Sequence, residues 1–140
     1  DAALSDLQRL WISGQLDTGP ILPAPGNNKT LGSELGFQQR WQFIYLLNAP
    51  NVSSDERVKN SIEDVAEAEC RVADRIEIRR YRLNAETDGP WHFGAVAQEV
   101  IAAFAAEGLD WQDYAIVTGS EAAGYGVAYD ELQNLKLACM

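Results

Sequence analysis

Ser54 and Lys59 place a hydroxyl five positions before an amine, in the run Ser54-Asp55-Glu56-Arg57-Val58-Lys59. A serine hydroxyl is a poor nucleophile until a base removes its proton. Lysine serves as that base when burial or nearby positive charge holds its amine neutral. Residues five apart are not neighbours on one face of a regular helix. An extended Ser54 leading into a helix that begins near Asp55 is the geometry that folds the amine back to the hydroxyl. The plainer reading of Ser54-Asp55 is a helix N-cap. His92 is the only histidine of the chain and stands between Trp91 and Phe93. A lone histidine on a strand is ordinarily a satisfied, partly buried polar group, and proton relay is its chemical alternative.

Other residues able to do chemistry point nowhere so specific. With one His and no clustered Cys, no metal site is expected. Cys70 and Cys139 match no metal-ligand spacing and read as buried structural residues, with a disulfide left open. Gly119, Gly124 and Gly126 surround Ser120-Glu121-Ala122-Ala123, but no lysine follows in phosphate-loop spacing, so nucleotide binding is not read from this loop, and no cofactor is expected. Gln98 and Glu99 suit the first turn of a helix. Arg79, Arg80 and Arg82 form a basic patch that reads as solvated or salt-bridging between chains.

The elements that must carry these groups change character along the chain. Leu10 to Leu16 alternates apolar and polar residues as a strand does, and Pro20 to Asn28 is loop or turn. Trp41 to Leu47 reads as a strand apolar on both faces. So short a segment cannot bury its aromatics against itself, whereas copies from other chains could. After Ser54 the period becomes helical: Ile62, Val65, Ala66, Val72, Ala73 and Ile76 share one face, predicting a helix over about 60–75. A strand is expected around Ile76 to Tyr81 and a short buried one from Phe93 to Ala97. A helix is expected from Gln98 to Glu107, stopped by Gly108. Tyr114 to Val117 reads as a strand, Gly119 to Gly126 as loop or turn, and Tyr129 to Ala138 as a terminal helix. The second segment is therefore α+β.

At 140 residues the chain holds one ordinary domain, or a small domain with an attachment. Its charge of −10 is uneven: residues 1–53 carry four acids and three bases, the remainder 17 acids and 8 bases. The shift falls near Ser54 and marks a boundary there. An acidic domain repels phosphate backbones, so no nucleic-acid partner is expected. No apolar run has the length to cross a bilayer, and no basic stretch followed by an apolar core opens the sequence, so neither a membrane nor an export signal is expected.

Three motifs occur in order: the Ser54–Lys59 run, His92-Phe93-Gly94-Ala95-Val96-Ala97-Gln98, and Gly126-Val127-Ala128-Tyr129-Asp130-Glu131-Leu132. Together they resemble the self-cleaving intramolecular chaperone domain of phage tailspikes and tail fibres, the endosialidase type. The family's junction has Leu where this chain has Val58, a change between apolar residues. Leu31-Gly32-Ser33, Arg40-Trp41 and Ile44-Tyr45 are similar to the stem repeat of phage fibres, an intertwined β-structured trimer.

The resemblance implies a trimeric β-stem segment at 1–53 and a small helix-and-strand chaperone domain at 54–140. It implies Ser54 as nucleophile, Lys59 as general base, and cleavage of the Ser53–Ser54 bond through an ester that water resolves. His92 matches a position needed for processing, and Asp55 matches one that positions the junction. The implied partners are two further copies of the chain, with the chain's own upstream stem as folding client. The stem would remain in the virion tail and the chaperone would be released in the host cytoplasm. A retained, non-cleaving fibre tip for host binding is the alternative. A membrane-linked eukaryotic regulator is a third reading, disfavoured by the stem-like segment and the missing transmembrane span.

Overall fold

The computed structural model describes residues 44–140, all within the unit spanning Ser33–Met140. The strand expected at Leu10 to Leu16, the loop from Pro20, and residues 41–43 of the expected Trp41–Leu47 strand lie outside the described residues. The rest of that stretch, Ile44 to Leu47, does not form a strand, and Leu47 is 99% exposed. Every residue from 44 to 67 is exposed, so this stretch is an arm without a core of its own.

The first α-helix among the described residues is α1 (Glu67–Arg75), shorter than the helix expected over 60–75. Two local features set its start. Ser61 has a left-handed φ of 50°, which a continuous right-handed helix cannot contain. Glu69 Oε2 then accepts the Ala66 N–H at 2.7 Å, satisfying one orphan donor of the first turn. Ile62 and Val65 share the apolar period but stay outside the helix, 72% and 43% exposed, while Val72, Ala73 and Ile76 are buried as the period requires.

The chain then runs through β1 (Arg79–Tyr81) and β2 (His92–Gly94), paired antiparallel with Arg79 opposite Gly94, Arg80 opposite Phe93 and Tyr81 opposite His92. The strand expected at Phe93 to Ala97 is thus earlier and not buried: Phe93 is 73% exposed, and only Gly94 is covered. Helix α2 (Ala97–Ala106) follows the expectation within a residue, and Gly108 ends it at φ 71°. The Gly108 and Leu109 amides there turn back to Ala105 and Phe104 carbonyls.

β3 (Val117–Ser120) and β4 (Gly124–Val127) form an antiparallel hairpin, in place of the strand expected at Tyr114 to Val117 and the loop expected at Gly119 to Gly126. Clustered glycines ordinarily signal a loop, but these sit within the strands. Gly119 occupies a positive φ of 89° directly against the Gly124 carbonyl, a position where a Cβ would collide. Helix α3 (Tyr129–Ala138) closes the domain over the expected range.

The core is small: Val72 and Ile76 from α1, Val100, Ala103 and Phe104 from α2, Ile116 and Val117, and Leu132 from α3. Phe104 is fully buried and packs on Tyr114 with ring centroids 4.6 Å apart. Three links, two polar and one covalent, tie the helices together. Glu107 accepts hydrogen bonds from Arg71 and Arg75 at 2.7 and 2.6 Å. Lys136 Nζ donates to the Ala73 and Ile76 carbonyls at 2.6 and 2.8 Å, capping α1 with α3. The third link corrects the reading of the cysteines as buried apolar residues: Cys70 and Cys139 are joined in a disulfide, Cα atoms 5.2 Å apart. Sixty-nine residues separate them in sequence, yet α1 and α3 lie side by side. Nothing in the sequence revealed that adjacency.

Candidate active site

Around the junction a single turn does the positioning. Residues Glu56–Val58 form one 3-10 turn, with Asp55 as its N-cap. The Asp55 carboxylate accepts the Arg57 N–H at 2.9 Å and pairs with the Arg57 guanidinium at 2.6 Å. The Arg57 guanidinium, helped by its backbone N–H, holds that carboxyl below the usual carboxylate range. The Lys59 N–H returns to the Glu56 carbonyl at 3.1 Å, and the chain leaves the turn extended. This reversal is tighter than the helix expected there, because a 3-10 turn advances only about three residues per revolution. It brings Lys59 Nζ to 2.7 Å from Ser54 Oγ, to which it donates.

Ser54, Asp55 and Lys59 therefore stand in one turn. Asp55 performs the capping task expected of it, and its pairing with Arg57 braces the loop that carries the Ser54–Lys59 contact. All of these residues are exposed.

His92 lies in a different cluster. Its Nε2 is 3.2 Å from Glu86 Oε2, and its ring stacks on Tyr81 with centroids 5.6 Å apart. No hydrogen bond among the described residues joins His92 to Ser54 or Lys59. Glu86, which fixes the ring, carries no signal in the sequence. It sits six residues away across the turn that connects β1 to β2, a separation that matches no motif.

The two motifs downstream of the junction meet each other. Tyr129 Oη accepts the Ala95 N–H at 3.1 Å and donates to the Ala95 carbonyl at 3.3 Å. Burial raises the Tyr129 phenol above its ordinary pKa, with Tyr81 adding to the effect. The ring reaches Ala95 only because position 94 is glycine, since a Cβ there would collide with the phenol oxygen. The Gly of the His-x-Gly motif and the Tyr of the closing motif are therefore two halves of one lock between β2 and α3. Their order in the sequence was visible, but their contact was not.

Among the described residues no group of three or more His, Cys, Asp or Glu could hold a metal ion, and no helix is long and apolar enough to cross a membrane.

Residues 54–109 match the model of a peptidase family described as "Chaperone of endosialidase". The tail spike protein of an Escherichia phage is 37% identical over 140 residues, covering 96% of this chain; the chain spans 17% of that relative's length. Among solved structures, one described as a novel intramolecular chaperone superposes with a TM-score of 0.56 at 26% identity, covering 62% of this chain and 94% of the other. The carboxy-terminal domain of the bacteriophage T5 L-shaped tail fibre, with its intramolecular chaperone domain, superposes with a TM-score of 0.67. It covers 86% of this chain and 36% of the other, and at 19% identity the likeness is one of fold. The fold is thus a small α+β one, shared with solved intramolecular chaperone domains, among them that of a phage tail fibre. From residue 54 to 109 the chain matches the chaperone-of-endosialidase family.

Proposed function

We propose that residues 54–140 guide the homotrimeric folding of the stem at 1–53 and then release themselves by cutting the Ser53–Ser54 bond. The observation that carries this reading is the 2.7 Å contact between Lys59 Nζ and Ser54 Oγ. The family match beginning at residue 54 supports it as well. In the reaction, neutral Lys59 takes the Ser54 hydroxyl proton and Oγ attacks the Ser53 carbonyl carbon. The Ser53–Ser54 C–N bond breaks, the Ser54 nitrogen leaves as an amine with the proton returned to it, and Ser53 is held as an ester on Oγ. Water then hydrolyses the ester, giving a Ser53 carboxylate and restoring the Ser54 hydroxyl.

In this reading Asp55 braces the junction through Arg57, and His92 orients or relays a proton once assembly brings it to a junction. Lysine acts as base only when its amine is neutral, a state that burial favours. The dyad is exposed in the single chain, so the cover would come from neighbouring chains.

The test is intact mass and N-terminal sequencing of the purified chain, compared with Ser54→Ala and Lys59→Ala. Two pieces, the second beginning at Ser54, are expected from the wild type and one full-length chain from each variant. The same two pieces from Ser54→Ala would assign the cut to an outside protease. A full-length wild type in a stable trimer would favour the retained fibre tip.

A further inference from the structure

On one face of the β1–β2 pair, two arginines lie against a tryptophan. Arg80 and Arg82 are two apart and so point to the same side of the strand. Their guanidinium carbons lie 4.2 and 4.5 Å from the Trp91 ring centroid. Phe93, opposite Arg80 in the ladder, shares that face and is 73% exposed; Trp91 is 48% exposed. Neither guanidinium meets a carboxylate among the described residues, although the segment from Ser54 carries 17 acids against 8 bases. Arg79, on the opposite face, is by contrast paired with both Glu77 and Glu99. A bare cationic and aromatic face on so acidic a domain is the composition of an interaction surface.

The arm supplies the complement. Asn60 to Glu67 contains Glu63, Asp64 and Glu67 and no base. Glu63 and Asp64 make no hydrogen bond or ion pair among the described residues, and Ile62 and Val65 beside them are exposed. Each of the two surfaces thus holds unpaired charge of one sign next to uncovered apolar area, and their signs are opposite.

We propose that the Ile62–Glu67 segment of one copy docks on the Arg80–Arg82–Trp91–Phe93 face of a second copy, placing Glu63 and Asp64 against the two arginines. This rests on the trimeric reading above and adds to it which surfaces meet. It also ties the arm that carries Ser54 and Lys59 to a neighbour's β1–β2 pair. Charge complementarity of this kind fixes register and rejects wrong partners.

The experiment is sedimentation of the full chain in a Ser54→Ala background, which keeps arm and domain in one piece. Arg80→Glu/Arg82→Glu and Glu63→Lys/Asp64→Lys should each weaken self-association by about tenfold or more, since each sets like charges together. The fourfold variant, with both signs reversed, should associate nearly as well as the parent, which also establishes that the substituted chain folds. A photo-crosslinker at Phe93 should join the Asn60–Arg71 peptide of a different chain, scored in a mixture of isotopically labelled and unlabelled protein. A monomeric parent would overturn the trimeric reading and the docking with it. A trimeric parent with an equally stable Arg80→Glu/Arg82→Glu variant would overturn the docking alone. Failure of the fourfold variant to recover, or crosslinks confined within one chain, would also overturn the docking.

Discussion

At the scale of single residues, the five-residue spacing from Ser54 to Lys59 is closed by a 2.7 Å contact in a turn capped by Asp55. Asp55→Ala removes the cap and the Arg57 pairing. Loss of such a cap typically costs about 1 kcal/mol. Cleavage should therefore slow without stopping, as followed by the rate of fragment appearance, whereas Ser54→Ala and Lys59→Ala should abolish it. If Ser54 and Lys59 act as one unit, as proposed, the double variant should be no worse than either single one. Glu107 is a residue whose role no motif announced. Hydrogen bonds from Arg71 and Arg75 hold its carboxyl below the ordinary value of 4.5. A depressed folded-state pKa stabilises the fold above the ordinary value and loses that contribution as pH falls through the folded one. Glu107→Gln should thus lower the melting temperature at neutral pH, and the gap to wild type should narrow as pH drops below 4.5. A gap independent of pH would mean that the carboxylate's charge contributes nothing.

At the scale of elements, helices α2 and α3 were legible because their formers, stop signals and periods agree. Helix α1 is shorter than its period suggests because the apolar spacing of Ile62 and Val65 is real but serves an exposed arm, and the left-handed Ser61 is not marked by a glycine. The β3–β4 hairpin was hidden for the opposite reason: its glycines act inside strands. The lock between Gly94 and Tyr129 connects two recognised motifs by a contact that only the fold supplies. Gly94→Ala should displace the Tyr129 ring and lower stability, and Tyr129→Phe should lose the two hydrogen bonds to Ala95 with a smaller effect. Thermal melts of the two variants test that order. The Cys70–Cys139 bridge staples α1 to α3. Cys70→Ser should cost about 2–4 kcal/mol in denaturant unfolding under oxidising conditions, and reductant should bring the wild type down to the same level.

At the scale of the whole molecule, a domain with a small core carries an arm whose described residues, 44 to 67, are exposed in one chain. An intertwined β-trimer has long-range pairings that form slowly, so in the proposed function a separate domain that gathers three chains would speed that step. In the proposed function, cutting that domain away afterwards would leave a product trapped by its unfolding barrier. This sequence of events requires cleavage to wait for assembly. The proposed coupling would have a physical basis in the Ser54–Lys59 contact, which is exposed in one chain, since burial favours the neutral amine a base needs. Leu47 gives the means to test it: at 99% exposed it contributes nothing to the single-chain fold, and it lies outside the Ser54–Lys59 turn. The measurement is the fraction of chain cut, followed over time in monomer and trimer pools separated by size, for wild type and Leu47→Asp. The account predicts cut chains in the trimer pool only, and a Leu47→Asp variant that stays monomeric and whole. Monomers that cut as fast as trimers would contradict it.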